Sequence, residues 1–214
     1  MNLSNINSNN AALNRFAIQH LAKQQKKQPL TEMEVLEKWF LSKEKDIYFF
    51  REYKDKISEG TLYELAIVAL NRNWSELQIS NLFVTIKDKL THNTLEALAS
   101  RAIEKMSGSY STDILIEIKD KISEDQLVKL ASIVIEKAVT IDIRRLLVEI
   151  KDKITSKDKL YKLASIAIEM SNEYPMWELI ELIDEIKDNI FPDQLNKLEN
   201  QIKLKNPKAC CTIM

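Results

Sequence analysis

Five near-copies of one pentapeptide divide the chain. YKDKI begins at Tyr53, IKDKL at Ile86, IKDKI at Ile118 and again at Ile150, and IKDNI at Ile186, in steps of 33, 32, 32 and 36 residues. A period of this size marks stacked supersecondary units, each too small to bury its own apolar face. Behind each copy runs a Leu-x-x-Leu-Ala pattern: Leu62, Leu65, Ala66; Leu95, Leu98, Ala99; Leu127, Leu130, Ala131; Leu160, Leu163, Ala164. The fifth copy keeps Leu195 and Leu198 but puts Glu199 in the alanine position. Extended to Ala69 and Leu70, or to Ala102 and Ile103, the spacing i, i+3, i+4, i+7, i+8 is one face of an α-helix, here called the A helix. Ser58, Thr91, Ser123 and Thr155 stand where an N-cap hydroxyl is needed, and Pro192 suits the first turn of the last copy.

A second stripe precedes each KDK and defines a B helix: Leu82, Phe83, Ile86, Leu90; Ile114, Leu115, Ile118, Ile122; Leu146, Leu147, Ile150, Ile154; Leu182, Ile183, Ile186, Ile190. The A-to-B segments RNWS, SGSYST and SNEYP are polar or hold Gly108 and Pro175, and read as loops. With two glycines and four prolines in 214 residues, and abundant Leu, Ile, Lys and Glu, the class is all-α. Stacked helix pairs with one stripe each form an α-solenoid of helix-turn-helix repeats of about 33 residues; an up-down helical bundle is the alternative. The unit lacks the tetratricopeptide and ankyrin signatures.

The domain reading is a disordered stretch over 1–10, N-terminal helices and an atypical capping repeat over 11–57, hairpin repeats over 58–204, and a flexible tail over 205–214. The capping repeat opens on a capping box, Thr31 with Glu34, followed by Met33, Leu36, Phe40, Ile47 and Phe50. Ahead of it, a helix is expected from about Ala11 to Lys26.

The net charge of −1 gives no bulk attraction to nucleic acid. No segment approaches the ~20 apolar residues of a membrane span, and the polar start MNLSNINSNN is no signal peptide. His20 and His92 lack a metal-ligand companion, and Gly60 and Gly108 form no phosphate loop, so neither an enzyme nor a cofactor is expected. Lys87, Lys89, Lys119, Lys121, Lys151 and Lys153 fall in register along one edge. They can grip an acidic partner or headgroups, or they can simply complement helix C-termini with Asp interleaved between them. Trp39 sits at a core spacing, whereas Trp74, in the polar link NRNWSE, is expected at the surface as a partner anchor, and Trp177 is a further anchor candidate.

Both cysteines lie in the final segment KACCTIM. Adjacent thiols build neither a disulfide framework nor a zinc site. As C-a-a-X, Cys211 stands fourth from the end, Thr212 and Ile213 are the middle pair, and Met214 selects farnesyltransferase. One prenyl chain holds weakly, so a second signal is expected. Palmitoylation of Cys210 is one candidate. The other is a modest basic patch of Lys203, Lys205 and Lys208, at about 1 kcal/mol per residue on an anionic surface. The expected location is the cytosolic face of a membrane.

A helical, Lys/Ile/Asn-rich chain ending in CTIM resembles the prenylated effectors of intracellular bacteria of the Legionella kind. That resemblance implies delivery into a host cell, lipidation by a host prenyltransferase, and a protein partner whose identity the sequence does not give. Some such effectors carry an F-box that recruits a host ubiquitin ligase. Residues 29–57 are loosely similar to an F-box start through Pro29, Glu32, Met33, Leu41, Asp46 and Ile47, so an F-box-like adaptor is the alternative function.

Overall fold

The structure, a computed structural model, describes Thr31, Glu32, Glu34, Val35 and Trp39, and residues 47–72, 74–171 and 176–205. The chain divides into two compact units, Met1–Lys45 and Asp46–Met214. In the first, the Thr31 amide donates to Glu34 Oε2 at 2.7 Å and the Glu34 amide donates to Thr31 Oγ1 at 3.4 Å, the reciprocal pair of a capping box. Val35 and Trp39 are fully buried. The expected helix over 11–26, the disordered stretch 1–10, His20, and most of the F-box-like positions, including Pro29, Met33, Leu41 and Asp46, lie outside the described residues. So do Leu36, Phe40 and the tail beyond Lys205.

The second unit is all-helical among the described residues. Its helices are α1 (Ile47–Tyr53), α2 (Glu59–Asn71), α3 (Glu76–Ile86), α4 (His92–Lys105), α5 (Gly108–Ile118), α6 (Glu124–Lys137), α7 (Thr140–Ile150), α8 (Lys157–Met170), α9 (Met176–Ile186) and α10 (Pro192–Lys205). Packing runs to the sequence neighbour and to the next helix but one. The A helices α2, α4, α6, α8 and α10 therefore form one layer, and the B helices α1, α3, α5, α7 and α9 the other. This is the solenoid arrangement, in which each pair buries its stripes against the next.

Every residue of the four B stripes is buried, from Leu82 to Ile190, as are the A-face residues Leu62, Leu65, Ala66, Leu95, Leu98, Ala99, Leu127, Leu130, Ala131, Leu160, Leu163 and Ala164. Each buried Leu or Ile contributes about 1.5–3 kcal/mol by leaving water. The A helices start where an oxygen side chain accepts an otherwise orphaned amide: Ser58 from Thr61 N at 3.3 Å, Thr91 from Thr94 N at 3.5 Å and Ser123 from Gln126 N at 3.3 Å. Pro192 opens α10, where its missing amide costs nothing.

Three sequence expectations need correction. The cap of α8 is Ser156, not Thr155; Ser156 Oγ accepts from Lys159 N at 3.4 Å, while the Thr155 hydroxyl turns to Glu124 of the preceding repeat at 2.5 Å. SGSYST is not a loop, because α5 begins at Gly108 and only Met106 and Ser107 connect α4 to it. A Cβ at Gly108 would overlap the Ala138 backbone, so glycine is what lets the start of α5 approach the α6–α7 link this closely. Trp74 is half-buried rather than exposed, with its ring edge-on to Phe50 at 5.9 Å. Proximity in sequence to polar residues did not predict its surroundings.

Candidate functional site

The KDK motif lies at the C-terminal end of each B helix, and in three copies, Lys87–Lys89, Lys151–Lys153 and Lys187–Asn189, it forms one 3₁₀ turn. Its first lysine reaches forward. Lys87 Nζ donates to Glu117 Oε1 at 2.5 Å and Lys119 Nζ to Glu149 Oε2 at 2.6 Å, and both also reach the backbone carbonyl of the same glutamate. Lys151 Nζ donates to the Glu185 carbonyl at 2.8 Å, and Lys54 Nζ to the Thr85 carbonyl at 3.2 Å. Each target is the penultimate residue of the next B helix, whose C-terminal carbonyls lack intrahelical partners.

The second lysine reaches backward. Lys89 pairs with Asp55 at 2.5 Å, Lys121 with Asp88 at 2.9 Å, and Lys153 with Asp120. Hydrogen bonding by these ammonium groups holds the carboxyls of Asp55, Asp88, Asp120 and Glu149 below their ordinary range. All six lysines singled out in the sequence are thus engaged in ties between repeats. The motif is a ladder whose rungs point both ways. It ends at the last copy: Asn189 replaces the second lysine, so Asp152 has no ion-pair partner among the described residues, and Lys187 turns back to Asp184 at 2.6 Å.

The first turns of the helices carry a parallel set of ties. Glu59 accepts from Thr91 N at 2.7 Å, and Glu76 from Ser107 N at 2.5 Å and Ser107 Oγ at 3.0 Å. Glu124 accepts from the Thr155 hydroxyl, the Thr155 and Ser156 amides at 3.3 Å each, and Lys159 Nζ at 3.1 Å. Those bonds, the Thr155 hydroxyl foremost, bring its carboxyl down to about 2. Sequence reasoning did not single out these glutamates, although an acid in the first turn of a helix is a local signal.

With the charges engaged between repeats, the outer face of the B layer is more apolar than the sequence led one to expect. Ten residues ahead of each KDK stand Leu77, Ser109, Ile141 and Trp177; three ahead stand Val84, Ile116, Val148 and Asp184. Positions seven apart share a helix face. Leu77 is 56 % exposed, Ile141 72 % and Trp177 56 %, and Val84 is also exposed. Of the two tryptophans considered as anchors, Trp177 rather than Trp74 faces out.

At the C-terminal end, α9 and α10 frame an open groove of about 430 Å³, lined by Ile180, Ile183, Leu195 and Ile202 with Glu181, Asp184, Lys187, Glu199 and Lys203 around it. Lys205 Nζ donates to the Glu169 carbonyl at 2.5 Å, capping α8, and burial pushes its pKa below the ordinary lysine value. Lys203 is exposed. Lys208, Cys210, Cys211, Thr212, Ile213 and Met214 lie outside the described residues, so of the expected basic patch Lys203 alone is seen free of a helix-capping role. His92 lies exposed in the first turn of α4. Among the described residues no helix is long and apolar enough to cross a membrane.

No family model, no curated protein and no solved structure matches this chain.

Proposed function

We propose that this chain is a non-enzymatic helical-repeat scaffold, farnesylated on Cys211 by a host enzyme and held at the cytosolic face of a membrane while its B layer binds a protein partner, in the manner of a bacterial effector. The observation that favours the anchor is the run Cys211-Thr212-Ile213-Met214, a pattern with a nucleophilic thiol and methionine in the X position. The observation that favours the B layer as partner surface is the exposure of Leu77, Ile141 and Trp177 at equivalent positions of three B helices, while the KDK lysines are already paired with acids of neighbouring repeats. Large exposed aliphatic and aromatic side chains are the material of interface anchors.

From Lys205 to Cys211 is six residues, about 20 Å at full extension. A lipid on Cys211 therefore brings the α9–α10 end next to the bilayer, and the earlier pairs of the second unit extend away from it. In eukaryotic cells Cys211→Ser should turn a membrane-bound protein diffuse, with the mass of the C-terminal peptide reporting the missing farnesyl group. Membrane localisation that survives Cys211→Ser would overturn the anchor. Trp177→Ala should weaken partner capture, measured by crosslinking in host cells, without changing membrane localisation.

A further inference from the structure

At equivalent positions near the C-terminal ends of the A helices stand Lys105, Lys137, Met170 and Lys205. Each lysine of this set crosses to the end of the A helix before it. Lys105 Nζ meets the Leu70 carbonyl at 3.5 Å and Asn71 Oδ1 at 2.6 Å, Lys137 Nζ the Ile103 and Glu104 carbonyls at 2.9 and 2.8 Å, and Lys205 Nζ the Glu169 carbonyl at 2.5 Å. The last carbonyls of an α-helix have no intrahelical donor and form its negative dipole end, so an ammonium there is stabilising. Met170 offers an unbranched stem without the charge. The equivalent carbonyls on α6, those of Ile135 and Glu136, therefore receive no side-chain donor among the described residues. The Glu136 carboxylate is exposed and has no ion-pair partner among them.

Large apolar side chains come to the surface at this same edge, where A helices hand over to B helices. Met170 is 45 % exposed, and Val139, in the link that leaves α6, is 57 % exposed where the corresponding links have Ser75 and Ser107. Ile141 opens α7, which packs on α9, and Trp177 holds the equivalent place on α9. We propose that this edge docks a partner segment that sets a lysine or arginine on the Ile135 and Glu136 carbonyls and bulky apolar side chains on Val139, Ile141 and Met170.

The charge of the occupant follows from the molecule's own usage. At three junctions the matching helix end is met by an ammonium; at the fourth the stem is present, the ammonium is missing, and an unpaired carboxylate stands beside the gap. A purely apolar occupant would cover those carbonyls without giving them a donor, which costs free energy. An anionic one, a phosphate headgroup included, would face the negative end of α6 and Glu136 together. This inference deepens the partner-binding reading above and rests on it: it narrows the surface to the α6–α8 junction and the partner to a basic segment with apolar flanks.

The test selects random dodecapeptides displayed on phage against the full unlipidated chain, then measures the commonest ones as synthetic peptides by fluorescence anisotropy. The selected peptides should carry Lys or Arg beside Leu, Ile, Phe or Trp. Replacing that cation by norleucine, which keeps a stem and removes the charge, should weaken binding at least tenfold. Met170→Lys supplies the missing ammonium from within and should also weaken binding at least tenfold, with a melting temperature no lower than that of the parent. Ile141→Ser should weaken it severalfold, whereas Leu204→Ser, at an exposed leucine of α10, should leave it unchanged. A selection that yields no peptide, peptides without a cation, or an affinity as sensitive to Leu204→Ser as to Met170→Lys would overturn the proposal. Absence of peptide binding removes this site and leaves the capture test with Trp177→Ala standing; peptide binding as expected beside unchanged capture by Trp177→Ala removes the cellular reading and leaves the site.

Discussion

The junctions inside the array and the junction at its end use the same positions differently. Between α4 and α8, Leu95, Leu98, Ala99, Leu127, Leu130 and Ala131 are wholly buried, and lysines tie each repeat to the one before and the one after. In the last pair Leu195 is half-buried, Glu199 is exposed, Asn189 stands where a lysine would be, and Lys187 turns onto its own helix. The lesson is that a repeat's face is apolar in proportion to what covers it. The last described pair lacks both the alanine that permits close approach and the lysine that completes a rung.

Truncation is the strongest way to break that contrast. Leu130→Ala should lower stability by about 2–5 kcal/mol in urea melts, the range for a buried leucine, whereas Leu195→Ala should cost about 1 kcal/mol. Equal costs would mean the groove is as well covered as the interior. Gly108→Ala comes next. It forces the start of α5 away from Ala138 and should cost about 1–3 kcal/mol, while Gly60→Ala, where a Cβ meets open space, should be neutral or slightly stabilising.

A third change sharpens the middle of the array. The Ser111 and Thr112 hydroxyls are buried with no hydrogen-bond partner among the described residues, and Ser111 occupies the place of Ile79, Ile143 and Leu179 in other repeats. Thr112→Val keeps the shape and removes the unsatisfied hydroxyl, so thermal melts should show stabilisation of about 1 kcal/mol. Asn189→Lys should give Asp152 its missing cation and add about 0.2–1 kcal/mol, lost on raising salt.

The smallest effect is in acid. Groups whose folded pKa is depressed contribute stability that is complete above their unfolded pKa and is lost as pH falls through the folded one. For Glu124 that window runs from 4.5 down to about 2. Stability should therefore fall with pH below about 4.5, and Glu124→Gln should flatten the curve there. Solvent screening around this half-buried surface carboxylate limits the change to about 1 kcal/mol or less.

Much of the fold was legible because its signals are local. The 33-residue period, the two stripes and the caps Ser58, Thr91 and Ser123 depend on residues three or four apart, and these positions fold as read. The all-α class follows from composition for the same reason. Thr155 shows where local reading stops: a hydroxyl equally able to cap its own helix is drawn to Glu124, 31 residues earlier, and the neighbouring Ser156 caps instead. The candidate anchor was legible as a four-residue pattern, but the outer row of Leu77, Ile141 and Trp177 was not. Each of those residues satisfies an amphipathic reading on its own helix, and exposure emerges only after neighbouring helices have taken their places.

By itself, then, the sequence determined that this chain makes helices in pairs and which face of each is apolar. Tertiary structure alone decided which acid each KDK lysine meets, that Trp74 lies edge-on to Phe50 while Trp177 faces out, that α5 begins at Gly108, and that α9 and α10 leave a groove open. The physical reason is range. Helix propensity, capping and amphipathic spacing act within one or two turns, whereas an ion pair between residues a whole repeat apart, or a groove left open between two helices, exists only once the offset between stacked pairs is set by packing the whole array.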